Sequence, residues 1–259
     1  MTLLSWPLPT LLAGLLVSLG AGAVRGFAGF GYSALTVAGL SVFVAPATIV
    51  PAVLALEVVA SVSMWRSAWR DADRSWLKWL LIGNLIFIPI GIAMLAWLPQ
   101  TLLRLLVSGA LLLTALALRN ASTRQFAPTT ALRAGAGIAS GLLNGVTASG
   151  GVAAAMLMAA ARVPAAALRA TMVSFLLYAG AYALLCAGLV PNGRGSGLIS
   201  GDTLRWALLL APTMLGGIWI GKHSFANADP SGYRRHVLTL LIVISTLGAL
   251  RAGFDLWRG

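Results

Sequence analysis

The chain has 259 residues, of which 59% are hydrophobic and only 9% are charged. That composition excludes an ordinary soluble domain, whose surface needs more charge to face water. The net charge of +12 does not indicate nucleic-acid binding, because the basic residues lie in short segments between apolar runs and form no extended patch. The sequence therefore predicts a polytopic integral membrane protein.

The N-terminal segment from Met1 to Val24 is apolar, as the core of a secretory signal would be. No Lys or Arg precedes Arg25, so the positive charge that begins a signal peptide is missing. We therefore expect this segment to be retained as membrane structure.

A first glycine-rich stretch, GAVRGFAGFGYSAL, covers Gly22 to Leu35 and is followed by Ala45-Pro46-Ala47. Three apolar runs come next, each predicted to span the membrane because about 20 apolar residues are needed to cross it as a helix. They are Pro51 to Met64, Trp76 to Leu98 and Leu102 to Leu118. Since lipid-facing backbone must satisfy its own hydrogen bonds, the fold class is all-α.

A second glycine-rich stretch, GIASGLLNGVTASGGVAAAM, covers Gly137 to Met156 and is followed by Val163-Pro164-Ala165. Three more predicted spans follow it, namely Leu168 to Val190, Leu204 to Ile220 and Val237 to Leu250. The chain therefore divides into an N-terminal transmembrane repeat (1–120), a cytoplasmic linker (121–133) and a C-terminal transmembrane repeat (134–259).

Basic residues predict that the two repeats have opposite orientations in the membrane. Lys and Arg are retained on the cytoplasmic side, and the predicted cytoplasmic loops contain Arg66, Arg70, Arg74, Lys78, Arg119, Arg124, Arg133, Lys222, Arg234 and Arg235. On this count the Pro51 span enters from outside and the Leu168 span from inside, which places Arg162 and Arg169 on the cytoplasmic side as well. An inverted-topology repeat of this kind is a common plan of secondary transporters.

The two glycine-rich stretches are predicted to be broken or re-entrant helical hairpins. Each is flanked by runs of only about 11 to 17 residues, too short to span comfortably. Glycine admits left-handed backbone and close approach of a ligand, and irregular backbone at membrane depth must line a cavity. Half-helix N-termini in such a cavity favour an anion. The glycines at four-residue spacing, Gly22/Gly26, Gly137/Gly141, Gly141/Gly145 and Gly217/Gly221, equally suit close helix packing.

The substrate site is predicted from these two breaks. The first contributes Gly29, Phe30, Gly31 and Ser33, and the second contributes Asn144, Thr147, Ser149, Gly150 and Gly151. Arg25 stands beside the first break, where its guanidinium either binds an anion through paired donors or extends toward a lipid headgroup.

Glu57 lies in the middle of an apolar run with Ser61 one turn away. One interpretation is that desolvation favours the neutral acid, so that Glu57 titrates and carries a coupling proton during transport. The other is that it is an acid hydrogen-bonded to a neighbouring helix. Asn84, shortly before Pro89, is expected to bond backbone freed by the proline kink, and His223 and His236 are expected in a surface loop.

The motifs RGFAGFGYSAL and GLLNGVTASGG, each followed by a proline-led span, resemble the duplicated signature of the TauE/SafE family of sulfite exporters, over nearly the whole chain. The resemblance implies an inner-membrane carrier that exports a small anion such as sulfite, a sulfonate or another organic acid.

The expected partners are this small anion, membrane lipid and a coupling proton or cation, with no nucleic acid, no cofactor and no metal. Whether the chain forms a homo-oligomer stays open. A passive anion channel and the permease subunit of a larger complex are the alternatives, because both use the same broken helices. An intramembrane serine protease built on Ser149 is disfavoured, since neither histidine lies in a membrane run to act as its base.

Overall fold

The computed structural model describes residues 6–41, 43–68, 70–99, 127–190 and 198–225, together with 101–103, 105, 106 and 109. The described part is helical and contains no strand. Its main helices are α1 (Leu8–Ala28), α2 (Tyr32–Leu40), α3 (Pro46–Ala68), α4 (Arg74–Trp97), α5 (Thr130–Thr147), α6 (Gly150–Ala160), α7 (Ala165–Leu189) and α8 (Gly201–Phe225). The all-α prediction is confirmed.

Several helices begin at residues that satisfy their first backbone N–H groups. The Asp73 carboxylate accepts hydrogen bonds from the backbone N–H of Ser75 (2.9 Å) and of Trp76 (3.2 Å) at the start of α4. Thr129 does the same for α5 by accepting from the N–H of Leu132 at 3.2 Å. These side chains are N-caps, which replace the hydrogen bonds that the first turn of a helix lacks.

Within the described residues, five helices are long and apolar enough to cross a membrane: Leu8–Ala28, Pro46–Trp65, Arg74–Trp97, Ala165–Leu189 and Gly201–His223. The last four overlap the spans predicted from the sequence. The prediction for the first glycine-rich stretch was partly wrong, because the helix before its break has 21 residues and reaches spanning length. Most of Leu102 to Leu118 and all of Val237 to Leu250 lie outside the described residues.

The surface of these helices is apolar in regular stripes. On α1 the exposed large apolar side chains are Leu8, Leu12 and Leu16, and on α4 they include Ile82, Ile86 and Ile90, both sets at four-residue spacing. The interior is mostly hydrophobic but also holds polar side chains, among them Ser18, Asn84 and Asn144. An apolar exterior suits a protein whose solvent is lipid, and with the five apolar helices it identifies a multi-pass membrane protein.

Helix α2 folds back along α1 to form a hairpin. A Cβ atom added to Gly39 of α2 would contact the Val17 side chain of α1, and one added to Gly14 would contact Leu40. The hydroxyl groups of Ser18 and Tyr32 lie 3.1 Å apart across the same interface. The first glycine break is therefore the tip of a helical hairpin.

Close backbone contacts join α1 to α8 and α4 to α5. A Cβ atom at Gly22 would lie 2.5 Å from the Met214 carbonyl oxygen, and Gly217 and Gly221 of α8 press in turn against Leu19 and Ala23. On the other side, Gly137 and Gly141 of α5 contact the backbone of α4 in the same way. The packing role predicted for the glycines at four-residue spacing is confirmed for these pairs.

Helices α3 and α7 pack against each other between these two helix pairs. Both are largely buried, and α3 also contacts α2 and α8 while α7 also contacts α4 and α6. Helix α3 includes Pro51 and begins at Pro46, so it extends five residues farther toward the N-terminus than the predicted span. This arrangement brings the middle of α3 beside the tip of the α1–α2 hairpin.

Candidate functional site

The first break consists of Gly29, Phe30 and Gly31 between α1 and α2. Gly29 has φ +82° and Gly31 has φ +99°, both in the left-handed region that glycine adopts without strain. The N–H of Gly29 still donates to the Arg25 carbonyl at 2.9 Å and so ends α1. The prediction that glycine is needed here for a left-handed backbone is confirmed at both positions.

Arg25 lies one turn before this break and is fully buried. Its Nη2 atom donates to the Ser61 hydroxyl at 2.6 Å and lies 3.3 Å from Oε2 of Glu57, both on α3. Its Nε and Nη1 atoms have no hydrogen-bond partner. The guanidinium therefore points into the protein interior, and of the two roles considered for Arg25 the structure excludes extension to a headgroup.

Glu57 is 1% exposed and connects Arg25 to the start of α2. Its Oε1 atom accepts a hydrogen bond from the backbone N–H of Ser33 at 3.1 Å, and Oε2 is the atom that faces Arg25. Ser33 is the second residue of α2, so the carboxylate takes the place of an N-cap that Gly31 lacks. The N–H groups expected to be free for an anion are thus partly occupied by a side chain of the protein.

Further polar groups surround this ion pair. Thr36, one turn along α2 from Ser33, is buried and its hydroxyl has no hydrogen-bond partner. Arg169 of α7 donates from Nη2 to the Gly26 carbonyl at 2.9 Å, and its side chain packs against Gly29. Arg169 was predicted only as a cytoplasmic charge, because nothing in its local sequence indicates contact with a segment 140 residues earlier.

The second break lies between α5 and α6 and has a different geometry. Its left-handed residue is Ala148, with φ +53°, followed by Ser149. Gly150 and Gly151 are the first residues of α6, and neither is among the positive-φ glycines of the described residues. The expectation that these two glycines open the backbone was therefore wrong. These two positions require a small residue because of packing. A Cβ atom at Gly150 would clash with the Ser140 carbonyl, and one at Gly151 would press against the Leu176 side chain.

The polar residues predicted at the second break are all buried and partly satisfy one another. The hydroxyl of Thr147 is in hydrogen-bond contact with that of Ser149 and also donates to the Leu143 carbonyl at 2.6 Å. Asn144 donates from Nδ2 toward Oδ1 of Asn84 at 3.5 Å. This second cluster is uncharged, in contrast to the ion pair at the first break.

Helix α7 contacts both breaks. Arg169 packs against Gly29 of the first, and Leu176 packs against Gly151 of the second. These two residues are separated by about two helical turns, or roughly 10 Å along the axis. The predicted site residues thus form two clusters at the two ends of this segment of α7. The first contains Gly29, Phe30, Gly31, Ser33, Arg25 and Glu57, and the second contains Asn144, Thr147, Ser149, Gly150 and Gly151.

A separate cavity of about 320 Å³ opens at the surface between α3 and α7. Its lining is formed by Val62, Ser63, Trp65 and Leu177. The predicted site residues do not line it.

Asn84 does not have the role predicted for it. Pro89 leaves the Leu85 carbonyl without its helical donor, and Tyr182 of α7 supplies a hydroxyl to that carbonyl at 3.1 Å. Asn84 donates instead to the Leu80 carbonyl at 2.9 Å and to the Ser140 hydroxyl at 2.7 Å. His223 was expected in a loop but lies in the last turn of α8, where its ring is exposed, and His236 lies outside the described residues.

The family model described as sulfite exporter TauE/SafE matches residues 14–247 of the chain. Comparison with curated proteins found no match, and comparison with solved structures found none. The family match covers both breaks, the ion pair, α1 from residue 14 onward and all of α2 to α8.

Proposed function

The chain belongs to the TauE/SafE sulfite exporter family, and on that premise we propose that it is a secondary transporter that exports a small oxyanion across the inner membrane by alternating access. The activity named for the family is export of an anion, which agrees with a membrane protein whose interior carries a buried cation. Sulfite, sulfonates and related organic acids are the proposed substrates.

One observation carries the proposal. Arg25 is buried beside a broken helix, and its Nε and Nη1 atoms have no hydrogen-bond partner. A buried guanidinium with unused donors is costly unless an anion can complete its hydrogen bonding. Each of these two atoms forms a parallel donor pair with Nη2, so an anion that binds beside Nη2 can be held through two of its oxygens.

The substrate pathway is proposed to run between the two breaks, beside α7. The first break supplies positive charge from Arg25 and backbone N–H groups from α2. The second supplies the neutral groups of Asn144, Thr147 and Ser149, which can bond the remaining oxygens of the anion. Glu57 is proposed to carry the coupling proton.

Two inverted repeats, 1–120 and 134–259 joined by the cytoplasmic linker 121–133, remain our proposal for the architecture. The order of helix lengths supports it, with 21, 9, 23 and 24 residues in α1 to α4 and 18, 11, 25 and 25 in α5 to α8. The reciprocal packing of α1 on α8 and of α4 on α5 also agrees with such a repeat. Two repeats of this kind rocking about a central site give alternating access.

Reconstitution into liposomes tests the function. Purified protein is incorporated with a pH gradient across the membrane, and accumulation of labelled sulfite, acetate or sulfoacetate is followed. Uptake against the anion's own gradient is expected. Equilibration without accumulation would instead identify a passive channel, and no flux without a further protein would identify a permease subunit.

A further inference from the structure

The Glu57 carboxylate is held by the kinds of group that would hold a transported oxyanion. Oε1 accepts the backbone N–H of Ser33 at 3.1 Å, close to the N-terminus of α2, and Oε2 lies 3.3 Å from Nη2 of Arg25. A guanidinium together with helix N-terminal N–H groups is a recurrent anion-binding arrangement. In this structure the anion that these groups bind is the Glu57 carboxylate itself.

The same place has unused hydrogen-bonding capacity. Arg25 Nε and Nη1, the Thr36 hydroxyl and Oε2 of Glu57 are buried without a hydrogen-bond partner. Arg25 and Thr36 are both fully buried. More donors are present than one carboxylate uses, so the site can accept a second oxyanion if the carboxylate moves or loses its charge.

The net charge of the Arg25–Glu57 pair limits which anions the site can bind. Arg25 and Glu57 together are neutral, and a monovalent anion added to the pair would leave one uncompensated negative charge at a buried position, which is strongly unfavourable. Adding one proton to Glu57 with the anion restores neutrality. The two ligands are then coupled, because each binds well only when the other is present.

On these grounds, and resting on the proposed function, we infer that Glu57 is a resident substitute for the substrate: a singly charged oxyanion displaces its carboxylate from Arg25 and the start of α2, and binds together with one proton that Glu57 accepts. The proton forms the O–H bond of the neutral acid, and no other bond changes. The substrate class is thereby narrowed to monovalent sulfonates, hydrogensulfite and monocarboxylates.

The neighbouring groups agree with this assignment. Among the described residues, the charged or titratable groups around Glu57 are Arg25 on α1, Tyr32 on α2, Arg169 on α7 and, near Ser63 of α3, Lys222 on α8. Arg169 lies close enough to Arg25 and to Lys222 for like charges to repel. Of these four groups only Arg25 lies within ion-pair distance of Glu57, so the contact that an incoming anion would replace is that of a neutral pair.

Calorimetric titration of the purified full-length protein in detergent tests the inference, with methanesulfonate as the probe because it is monovalent throughout the working pH range. Titrations at one pH in buffers of different ionisation enthalpy give the number of protons taken up per anion. We expect about one proton per methanesulfonate, and a Kd that rises roughly tenfold per pH unit where the free site is ionised. Sulfate, a dianion, should bind at least about tenfold more weakly.

Variants separate this mechanism from a general pH effect. Glu57→Gln should bind methanesulfonate without proton uptake and with a Kd that does not change with pH. Asp202→Asn removes an exposed acid and is the matched control, which should keep one proton per anion. Methanesulfonate binding by the native protein without proton uptake would overturn the inference while leaving the transport function intact, and this measurement needs no variant.

Failure of the proposed transport function would give different results from failure of the role inferred for Glu57. If methanesulfonate, sulfite and acetate all give no heat of binding and no flux in liposomes, the anion-transport assignment is wrong and the inference falls with it. If anions are bound and transported but Glu57→Gln retains one-proton uptake, only the role of Glu57 is wrong.

Discussion

Nη2 of Arg25 lies 3.3 Å from Oε2 of Glu57, and this buried ion pair joins the last turn of α1 to the middle of α3. The partners are separated by 32 positions in the sequence, with the first glycine break and all of α2 between them. Because Glu57 also accepts the Ser33 N–H, the pair fixes the position of α2 relative to the helices on either side. The geometry of the break thus depends on a charge interaction.

Removing one partner of this pair should be strongly destabilising. Glu57→Ala leaves the Arg25 guanidinium buried without a counter-charge, and the free energy of unfolding should fall by about 3 to 5 kcal/mol. Unfolding by denaturant in detergent micelles measures the change. The double variant Arg25→Met, Glu57→Ala should be less destabilised than Glu57→Ala alone, because it leaves no buried charge.

The exposed pair of Arg205 and Asp202, with 3.0 Å between Nη1 and Oδ1, is the control for that experiment. Asp202→Ala should lower the free energy of unfolding by less than about 1 kcal/mol, since water and salt screen a surface pair. Equal effects of Glu57→Ala and Asp202→Ala would contradict the burial argument.

Two glycines on α1 should respond in opposite ways to substitution by alanine. A Cβ at Gly22 would lie 2.5 Å from the Met214 carbonyl oxygen, whereas one at Gly20 would have no neighbour within 4 Å. Gly22→Ala should lower the free energy of unfolding by about 1 to 3 kcal/mol through overpacking against α8. Gly20→Ala should raise it by about 0.5 to 1 kcal/mol, because alanine favours the helix.

The comparison is read from thermal unfolding of the two variants and the native protein under identical detergent conditions. Both positions lie in one helix and the substitution is the same. The change in helix propensity is therefore common to both variants and cancels when their free energies of unfolding are compared. Similar destabilisation at Gly20 and Gly22 would mean that α1 and α8 do not pack as described.

The sequence predicted the spanning helices α3, α4, α7 and α8 because a run of about 20 apolar residues has one stable structure in lipid. It did not predict the length of α1. The run before the glycine-rich stretch that begins at Gly22 was expected to be too short to span, yet α1 continues through Gly22 and Gly26 to Ala28 because both glycines pack on α8. A glycine that packs and a glycine that breaks a helix cannot be distinguished without the neighbouring helix.

The candidate site was predictable in part for a similar reason. Glu57 was identified from the cost of a charge at membrane depth and Arg25 from its position beside a glycine-rich break, but their pairing depends on how α1 packs beside α3. At the second break, similarity to the first suggested left-handed glycines, whereas Ala148 takes that conformation and Gly150 and Gly151 fit against Ser140 and Leu176. Local composition indicated where the breaks lie, and tertiary contacts decided which residue takes which conformation.

Arg25→Lys should impair substrate binding more than folding. Lysine keeps the positive charge near Glu57, so the free energy of unfolding should change by less than in Glu57→Ala. The lysine ammonium lacks the planar donor pairs of the guanidinium, so the KM for a sulfonate should rise by about tenfold or more. Initial rates of flux in liposomes measure this, and an unchanged KM would remove Arg25 from the substrate site.

The hydroxyl of Tyr182 should contribute to stability only while Pro89 is present. Pro89 deprives the Leu85 carbonyl of its helical donor, and Tyr182 donates to that carbonyl at 3.1 Å. Tyr182→Phe should therefore lower the free energy of unfolding by about 0.5 to 1.5 kcal/mol in the native background. In a Pro89→Ala background the alanine N–H can bond Leu85, so the same substitution should have almost no effect.

A double-mutant cycle of these two substitutions, measured by unfolding in detergent, gives their coupling directly. Tyr178→Phe, which changes a tyrosine one turn away on the same helix, is the control and should cost the same with or without Pro89. If Tyr182→Phe is equally destabilising in both backgrounds, the Leu85 carbonyl does not depend on Tyr182. A coupling of about 0.5 kcal/mol or more would show that Tyr182 of α7 replaces the hydrogen bond that Pro89 removes from the Leu85 carbonyl of α4.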